Sequence, residues 1–324
     1  MNEKDFNIIN LIGKGSFANV FKAVKYSDKN KKFVALKIID KKKLNLILQK
    51  HVKFEIILLQ KLNHPNIVKF YETFSNQDSI FISLEYCSGG NLQQYIRKHD
   101  KVSENSVKKI ALQLFSILNE LSIYNIVHRD IKPENLVIDP TLWKKNIPTI
   151  KLIDFGFACY LRDGEFTKTL CGSPLYLAPE VLSGNYYDSK VDIWSVGCVL
   201  FELMYGKSVF SAKSIKKLIE IIPSTIKQLN LHTSLTSTTR QFILQMLIVN
   251  PVLRISIGEI MQSEFLVSIL TPDTEENDPF TISVPLLNMC SSCPALLETK
   301  LETVKSFEDS FIRIEIIEEE FELI

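Results

Sequence analysis

Apolar and polar side chains alternate over most of the first 87 residues, as they do in strands with one buried face. Five such runs occur: FNIINLIGKG, SFANVFKAVK, KKFVALKIID, IVKFYETFS and SIFISLEYC. Between the third and the fourth run, an amphipathic helix is predicted by apolar residues spaced three or four apart, Val52, Ile56, Leu59 and Leu62. We therefore expect residues 1–87 to form a small β-rich lobe with one helix.

The spacing of the apolar residues changes after Ser88–Gly90, where helical periods replace the alternation. Ser103 followed by Glu104 is typical of a helix start. One face of the helix that follows carries the apolar residues Val107, Ile110, Ala111, Leu114, Leu118 and Leu121. Helical periods continue from there, so we expect residues 88–270 to form a larger, mainly helical lobe and the whole to be an α+β protein.

Residues 271–324 differ from the rest of the chain in composition and charge. They begin with TPDTEENDPFTISVP, a Pro- and acid-rich stretch typical of a linker. They carry 3 Lys and Arg against 13 Asp and Glu, whereas residues 1–270 carry 35 against 24. We therefore predict that a basic domain is followed by a separate acidic tail.

The overall composition excludes several classes of protein. Hydrophobic residues make up 46% of the 324 residues, which supports a sizeable packed core, and the net charge of +1 does not indicate nucleic acid as a partner. No apolar stretch is long enough to span a bilayer, and the N-terminus lacks the apolar region of a signal peptide. We expect a cytoplasmic protein.

The six cysteines lack the spacing of a disulfide framework, which agrees with a reducing compartment. We expect the first four, Cys87, Cys159, Cys171 and Cys198, to lie inside core elements. The remaining two form a single C-x-x-C at 290–293. Because a structural zinc requires four ligands and no second pair exists, we expect no metal site there.

Glycines and a strand lysine in the first lobe suggest a phosphate site. Gly13 and Gly15 lie between two predicted strands, where the missing Cβ lets the backbone approach an anion closely. Lys37 follows on the third strand, flanked by apolar residues, and a buried lysine requires a counter-charge. Glu55, on the predicted helix, is the natural partner, although in isolation it could be an exposed helix residue.

A second group of polar residues lies in the stretch IVHRDIKPENLVI, residues 126–138. Asp130, Lys132 and Asn135 fall in a loop between two apolar ends. Asp154 follows directly after an apolar strand in LIDFGFA, a suitable place to hold a hard cation. Mg²⁺ is usually bound by one or two carboxylates together with substrate phosphates, so this group predicts a magnesium and phosphate site.

These motifs, with CGSPLYLAPE at 171–180, resemble in order and spacing those of eukaryotic protein kinases over residues 6–268. The resemblance implies a two-lobed fold with a small antiparallel sheet and one key helix in the N-lobe. It also implies that ATP and Mg²⁺ are used. In its terms Asp130 orients the attacking hydroxyl, Lys132 neutralises the γ-phosphate, and Lys37 with Glu55 holds the α- and β-phosphates. Asn135 and Asp154 bind Mg²⁺.

The same resemblance assigns further positions. It places the nucleotide against Ile12, Gly13, Lys14, Gly15, Ser16, Phe17, Ala18, Val20, Ala35 and Lys37, and against the backbone of Glu85 and Cys87, with Leu84 as gatekeeper. It pairs Glu180 with Arg254 and makes Asp192 the anchor of the catalytic loop. It implies that His128 packs the loop and that Arg129 can bind a phosphate of the activation segment. It also implies that Thr169 is the activation phosphosite and that Phe157 favours serine over threonine as the acceptor.

The finer resemblance is to the ULK (Unc-51-like) family, which initiates autophagy, through GKGSFANVFKA, EYCSGGNLQQYI, DFGFACYL and LCGSPLYLAPEVL. It implies a serine/threonine kinase with protein substrates, monomeric in its kinase domain and recruited to autophagy membranes. A polo-like or other serine/threonine kinase, or a pseudokinase scaffold, is the alternative. Cys159 stands where many relatives carry a basic residue that helps bind an activation phosphate.

The end of the tail, IEEEFELI, resembles the motif by which autophagy proteins dock on ubiquitin-like modifiers. Such a peptide adds a strand to a sheet edge, and its two apolar side chains enter pockets. Phe321 and Ile324 are the two predicted anchors. The alternatives are a chance pattern, or an acidic tail that folds back on the basic domain.

Overall fold

The computed structural model describes residues 5–144, 147–229 and 236–270. Contacts within the chain define two units, Met1–Ile269 and Leu270–Ile324, and the description below concerns the first. The tail motif and the C-x-x-C pair lie outside the described residues, and the division at residue 270 stays a prediction.

The N-lobe is an antiparallel sheet of five strands in the order β1-β2-β3-β5-β4. The strands are β1 (Phe6–Lys14), β2 (Ala18–Lys25), β3 (Phe33–Asp40), β4 (Phe70–Ser75) and β5 (Ser79–Glu85). Helix α1 (Leu46–Lys61) connects β3 to β4, and the side chain of Asn45 caps it by accepting a hydrogen bond from the Leu48 N–H. The predicted helix and the presence of five strands are confirmed.

Alternation of side chains gives this sheet two different faces. Residues paired across neighbouring strands point to the same face, as do residues two apart on one strand. One face forms an apolar cluster of Phe6, Ala23, Val34, Leu36 and Phe81. The opposite face carries Val20, Ala35, Lys37 and Leu84, because Val20 pairs with Lys37 and Ala35 pairs with Leu84. The predicted nucleotide-binding side chains of β2 and β3 therefore share one face.

The C-lobe is mainly helical. Its helices are α2 (Leu92–His99), α3 (Glu104–Ile123), α4 (Pro179–Leu182), α5 (Lys190–Tyr205), α6 (Ile215–Leu229), α7 (Ser237–Met246), α8 (Ile257–Met261) and α9 (Glu264–Leu270). Two antiparallel pairs of strands are formed by β6 (Ile126–Val127) with β9 (Cys159–Tyr160) and by β7 (Leu136–Lys144) with β8 (Ile147–Leu152). Ser103 caps α3 as predicted, and the predicted apolar face of α3 is buried. Helix α5 is buried over nearly its whole length and forms the centre of the lobe.

Two sequence expectations were wrong. The fourth strand was expected from Ile67, but β4 begins at Phe70, because Ile67 bridges to Leu152 of β8 and not to β5. The first four cysteines were expected inside core elements, but Cys87 and Cys171 lie in partly exposed loops and only Cys198 is buried in a helix. The apolar neighbours of these two cysteines in the sequence did not indicate their partial exposure.

None of the helices within the described ranges is both long enough and apolar enough to cross a membrane.

Candidate active site

The loop between β6 and β7, called the catalytic loop from here on, is hydrogen-bonded to the first turn of α5. The carboxylate of Asp192 accepts hydrogen bonds from the backbone N–H groups of His128 (2.7 Å) and Arg129 (2.9 Å). Arg129 has a φ of 66°, a left-handed conformation that costs about 1–3 kcal/mol for a residue with a side chain. The two bonds to the buried Asp192 stabilise this strained backbone, which confirms the predicted anchor.

Asp130 lies at the centre of the loop and is 4% exposed. Its Oδ2 is 2.8 Å from the Lys132 ammonium and accepts a 2.9 Å hydrogen bond from the Asn135 amide. Its Oδ1 accepts a hydrogen bond from the Ser173 hydroxyl at 2.8 Å, and Lys132 donates to the same hydroxyl at 2.6 Å. The fold therefore brings Asp130, Lys132 and Asn135 together as predicted.

Ser173 is a residue of this group that the sequence reasoning missed. It belongs to the segment CGSPLYLAPE, which packs directly on the catalytic loop. Gly172 has a φ of 97°, and a Cβ at this position would collide with the carbonyl oxygen of Arg129. The sequence feature that could have identified it is a serine between Gly172 and Pro174, inside the motif CGSPLYLAPE.

The strand lysine, Lys37, forms a partly buried ionic cluster with two carboxylates. The Lys37 ammonium is 2.6 Å from Glu55 on α1 and 3.3 Å from Asp154. Burial alone would lower the pKa of Lys37, but the charges of Glu55 and Asp154 outweigh it, so the pKa is raised and the lysine stays protonated. Lys37 is also the main reason why the pKa of Asp154 lies below its usual value. The predicted pair of Lys37 with Glu55 is present.

Burial of Glu55 excludes the alternative of an exposed helix residue. The residue is 3% exposed, and burial raises the pKa of its carboxyl, while the charge of Lys37 opposes that shift. The Phe155 ring is buried against His128, with the two ring centroids 5.0 Å apart. This contact confirms His128 as a packing residue and joins the strand end that carries Asp154 to the catalytic loop.

The β1–β2 connection forms the second side of the cleft. The Gly15 N–H donates to the carbonyl of Ala18 at 2.8 Å, which closes a tight turn at residues 15–18. Ile12 and Phe17 are 43% and 41% exposed. Their apolar surfaces are therefore free to cover a ligand, although no contact in the structure tests the individual assignments from Ile12 to Val20.

The end of β5 carries the backbone that was predicted to bind adenine, a prediction that no contact in the structure tests. Leu84 is buried in β5, and Cys87 is partly exposed just beyond it. The side chain of Glu85 turns away and forms an ion pair with Lys151 at 3.0 Å. Glu85 could therefore meet a ligand through its backbone only, as the sequence comparison implied.

Asn135 and Asp154 are neighbours, since the Asn135 carbonyl accepts a 2.9 Å hydrogen bond from the Ile153 N–H. The Asn135 amide nitrogen donates to the backbone and side chain of Asp130, which leaves its side-chain oxygen as the acceptor for a cation. Within residues 5–144, 147–229 and 236–270, no cluster of three or more His, Cys, Asp or Glu has metal-binding geometry. Two oxygen donors suit Mg²⁺, which takes its other ligands from water and phosphates.

The activation segment, which runs from Asp154 to Glu180, is hydrogen-bonded to the catalytic loop through Arg129 and Tyr187. The Arg129 Nε donates to the carbonyl of Phe157 at 2.6 Å, and its Nη1 donates to the Tyr187 hydroxyl at 3.3 Å. That hydroxyl donates to the carbonyl of Thr169 at 2.6 Å. The Thr169 side chain is exposed, as a phosphosite requires. Tyr187 is the second residue that the sequence reasoning missed.

The end of the segment is fixed by the predicted pair of Glu180 and Arg254. Two parallel hydrogen bonds join the guanidinium to the carboxylate, at 2.6 and 2.8 Å, and both side chains are buried. Such forked pairs set geometry as well as charge. The segment that carries Ser173 and Thr169 is therefore anchored at both ends.

Comparison with known proteins agrees with this geometry. The protein kinase domain family matches residues 6–266. The chain is 38% identical over 267 residues to the serine/threonine-protein kinase ATG1b of Arabidopsis thaliana, which covers 81% of this chain and 36% of that protein. It is 36% identical over 265 residues to the serine/threonine-protein kinase ULK3 of Xenopus laevis, covering 81% and 55%.

A third relative carries a different kind of name. The chain is 39% identical over 263 residues to the carbon catabolite-derepressing protein kinase of Saccharomyces cerevisiae, covering 81% of this chain and 40% of that protein. The chain thus spans between about a third and just over half of the length of these relatives. The predicted likeness to the ULK kinases is confirmed, and, since the family match covers most of the sequence, the chain belongs to the protein kinase family.

Proposed function

We propose that the chain is a protein serine/threonine kinase that transfers the γ-phosphate of ATP to hydroxyl groups of proteins. The observation that carries the proposal is the convergence on Asp130 of a cation, an amide and a hydroxyl, together with a partly buried lysine that pairs with two carboxylates. Phosphoryl transfer requires positioned charge more than covalent chemistry, and these groups supply it.

The role proposed for each residue agrees with its contacts. Asp130 orients the acceptor hydroxyl and takes its proton, and Lys132, which is 2.8 Å from Asp130, neutralises the negative charge of the γ-phosphate during transfer. Lys37, fixed by Glu55, holds the phosphates of ATP. Asn135 and Asp154 hold Mg²⁺, which neutralises phosphate charge when bound.

The test is phosphorylation of a peptide library by the purified chain with ATP and Mg²⁺. Asp130→Asn and Lys37→Met should each reduce phosphotransfer by about 10²-fold or more, because positioned acid–base groups contribute about 10²–10⁴-fold. Asp78→Asn, at an exposed surface pair, is the matched control. Thermal unfolding should show that all three variants fold.

Two results would contradict the proposal. A rate for Asp130→Asn above about a tenth of the wild-type rate would remove the assigned role, since a missing acid–base group costs far more. No transfer by the wild-type chain to any serine or threonine peptide would favour the pseudokinase alternative.

We also infer that this kinase acts in the cytoplasm in the initiation of autophagy and is recruited to autophagy membranes. The support is its likeness to kinases named ATG1b and ULK3. The similar identity to the carbon catabolite-derepressing kinase keeps a kinase outside autophagy as the alternative. Autophagic flux in cells that lack their own ATG1-type kinase distinguishes them: the wild-type chain should restore it and Asp130→Asn should not.

Four finer proposals complete this function. Residues 1–270 are the kinase domain, monomeric by itself, and residues 271–324 are the tail. Thr169 is the activation phosphosite. Phe157, 42% exposed beside the catalytic loop, favours serine acceptors. Phe321 and Ile324 dock the tail on a ubiquitin-like modifier.

A further inference from the structure

The start of α1 exposes apolar side chains beside several lysines. Leu46 is 77% exposed and Ile47 is 39% exposed, although both belong to the first turn of a helix. Lys43, Lys50 and Lys53 are also exposed. We call these five residues the Leu46 surface.

The geometry of the helix gathers these side chains. Leu46, Lys50 and Lys53 are spaced four and three residues apart, so they follow one another along one face of α1. Glu55, nine residues after Leu46, lies on the opposite side of the helix, where it is buried. The Leu46 surface is therefore separate from the side of α1 that contributes Glu55 to the ionic cluster with Lys37.

The charge of this region is strongly positive. Residues 41–53 contain five lysines and no acidic residue. The two nearby acids are already engaged: Asp40 accepts a hydrogen bond from the Lys42 backbone, and Asp78 pairs with Lys42 at 2.9 Å. In the part of the chain that the structure describes, no acidic side chain pairs with the lysines of the Leu46 surface, which leaves their charges available to an anionic partner.

The exposure of Leu46 distinguishes between two kinds of partner. A side chain that lines a peptide-binding groove is partly enclosed by its neighbours, whereas Leu46 keeps more than three quarters of its surface and therefore protrudes. A protruding apolar side chain beside lysines suits a flat anionic interface, where the apolar group enters the boundary of the acyl chains and the ammonium groups meet the headgroups.

We propose that the Leu46 surface binds the surface of membranes that contain anionic lipids. Lys43, Lys50 and Lys53 supply the electrostatic attraction, and Leu46 and Ile47 supply the apolar insertion. The contact is independent of phosphotransfer, and it adds to the kinase domain a membrane contact distinct from the proposed tail motif.

The test is sedimentation of the full chain with vesicles of phosphatidylcholine that contain about 30 mol% phosphatidylserine, compared with phosphatidylcholine alone. Each lysine near an anionic surface is worth about a fivefold change in binding, so Lys50→Gln with Lys53→Gln should weaken binding about 25-fold. Lys213→Gln with Lys216→Gln, two exposed lysines of the other lobe, is the matched control and should change it less than twofold.

The contribution of the apolar side chains to vesicle binding is tested by a second variant with its own control. Leu46→Ser should weaken binding several-fold, whereas Val252→Ser, at a side chain that is 80% exposed elsewhere, should not. Thermal unfolding confirms that the variants fold. Binding should also weaken at about 0.5 M salt, because screening shortens the reach of the lysine charges.

Three results would overturn the proposal. The first is no binding of the wild-type chain to the anionic vesicles. The second is equal weakening by the control pair Lys213 and Lys216, which would mean attraction by overall charge only. The third is binding to an acidic peptide that depends on Lys50 and Lys53 without any vesicle binding, which would assign the Leu46 surface to a protein partner.

Discussion

The pair of Glu180 and Arg254 provides a quantitative test of how the activation segment is held. Arg254 is 1% exposed and Glu180 is 6% exposed. The guanidinium also donates to the backbone carbonyls of Ile248 (3.0 Å) and Lys190 (3.1 Å), and it lies 5.1 Å from the ring centre of Trp194. Breaking this pair therefore leaves a charge and several polar groups buried without partners.

The expected losses of stability differ between the two partners. Removing one member of a buried pair costs about 3–5 kcal/mol. Glu180→Gln keeps one acceptor for the guanidinium, so we expect about 3 kcal/mol. Arg254→Met leaves the Glu180 carboxylate unpaired and also removes the hydrogen bonds to the two backbone carbonyls. We therefore expect a loss of about 5 kcal/mol in the free energy of unfolding. These losses correspond to falls in the melting temperature of roughly 6–12 °C and 10–20 °C.

The double variant separates charge from packing. With Gln facing Met, no buried charge remains, so only the lost carbonyl bonds and packing count, about 2–3 kcal/mol. The double variant should therefore be more stable than Arg254→Met alone. Urea unfolding followed by the fluorescence of the two tryptophans, Trp143 and Trp194, measures all three free energies of unfolding.

A surface pair serves as the control. Lys217 and Glu220 are 3.1 Å apart on α6, with side chains that are 62% and 50% exposed. Lys217→Met should cost less than about 1 kcal/mol, because water screens an exposed pair. If the effects of the two buried substitutions simply add, or if each costs as little as the surface change, the pair does not anchor the segment.

Three further predictions concern regulation and specificity. After phosphatase treatment and renewed phosphorylation, Thr169→Ala should be less active than wild type, since the phosphate adds roughly two charges near Arg129; equal activity would exclude the switch. Serine peptides should react several-fold faster than matched threonine peptides if Phe157 lies beside the acceptor as proposed, and equal rates would refute this. A peptide of residues 306–324 should bind a purified autophagy modifier in the micromolar range, and Phe321→Ala with Ile324→Ala should abolish binding, whereas binding unchanged by both substitutions would exclude the motif.

The sequence predicted those elements of the fold that depend on the spacing of apolar residues close to one another in the chain. Alternation located the five strands, and the spacing of apolar residues located α1 and the buried face of α3. The start of β4 was misplaced because the sequence shows that Ile67 is apolar but not which strand it meets. It bridges to Leu152, 85 positions along the chain, and only the assembled fold makes that choice.

The same limit applies to the active site. Asp130, Lys132 and Asn135 were predictable because they lie within six residues of one loop. Ser173 lies 43 positions from Asp130, yet its hydroxyl joins Asp130 and Lys132 through bonds of 2.8 and 2.6 Å. A serine in a polar segment gives no sign of that partnership until Gly172 lets the segment approach the loop.

The contacts of Arg129 show that the lack of a basic residue at position 159 does not decide how the activation segment is ordered. Cys159 suggested a missing cation, and thus a segment that depends less on phosphate. In the fold, Arg129 is engaged by the Phe157 carbonyl and the Tyr187 hydroxyl, and Tyr187 in turn donates to Thr169. The backbone around Thr169 is therefore held by hydrogen bonds to protein groups without a phosphate. We therefore expect a phosphate on Thr169 to act on a segment that is already placed, and to change its activity and not its fold.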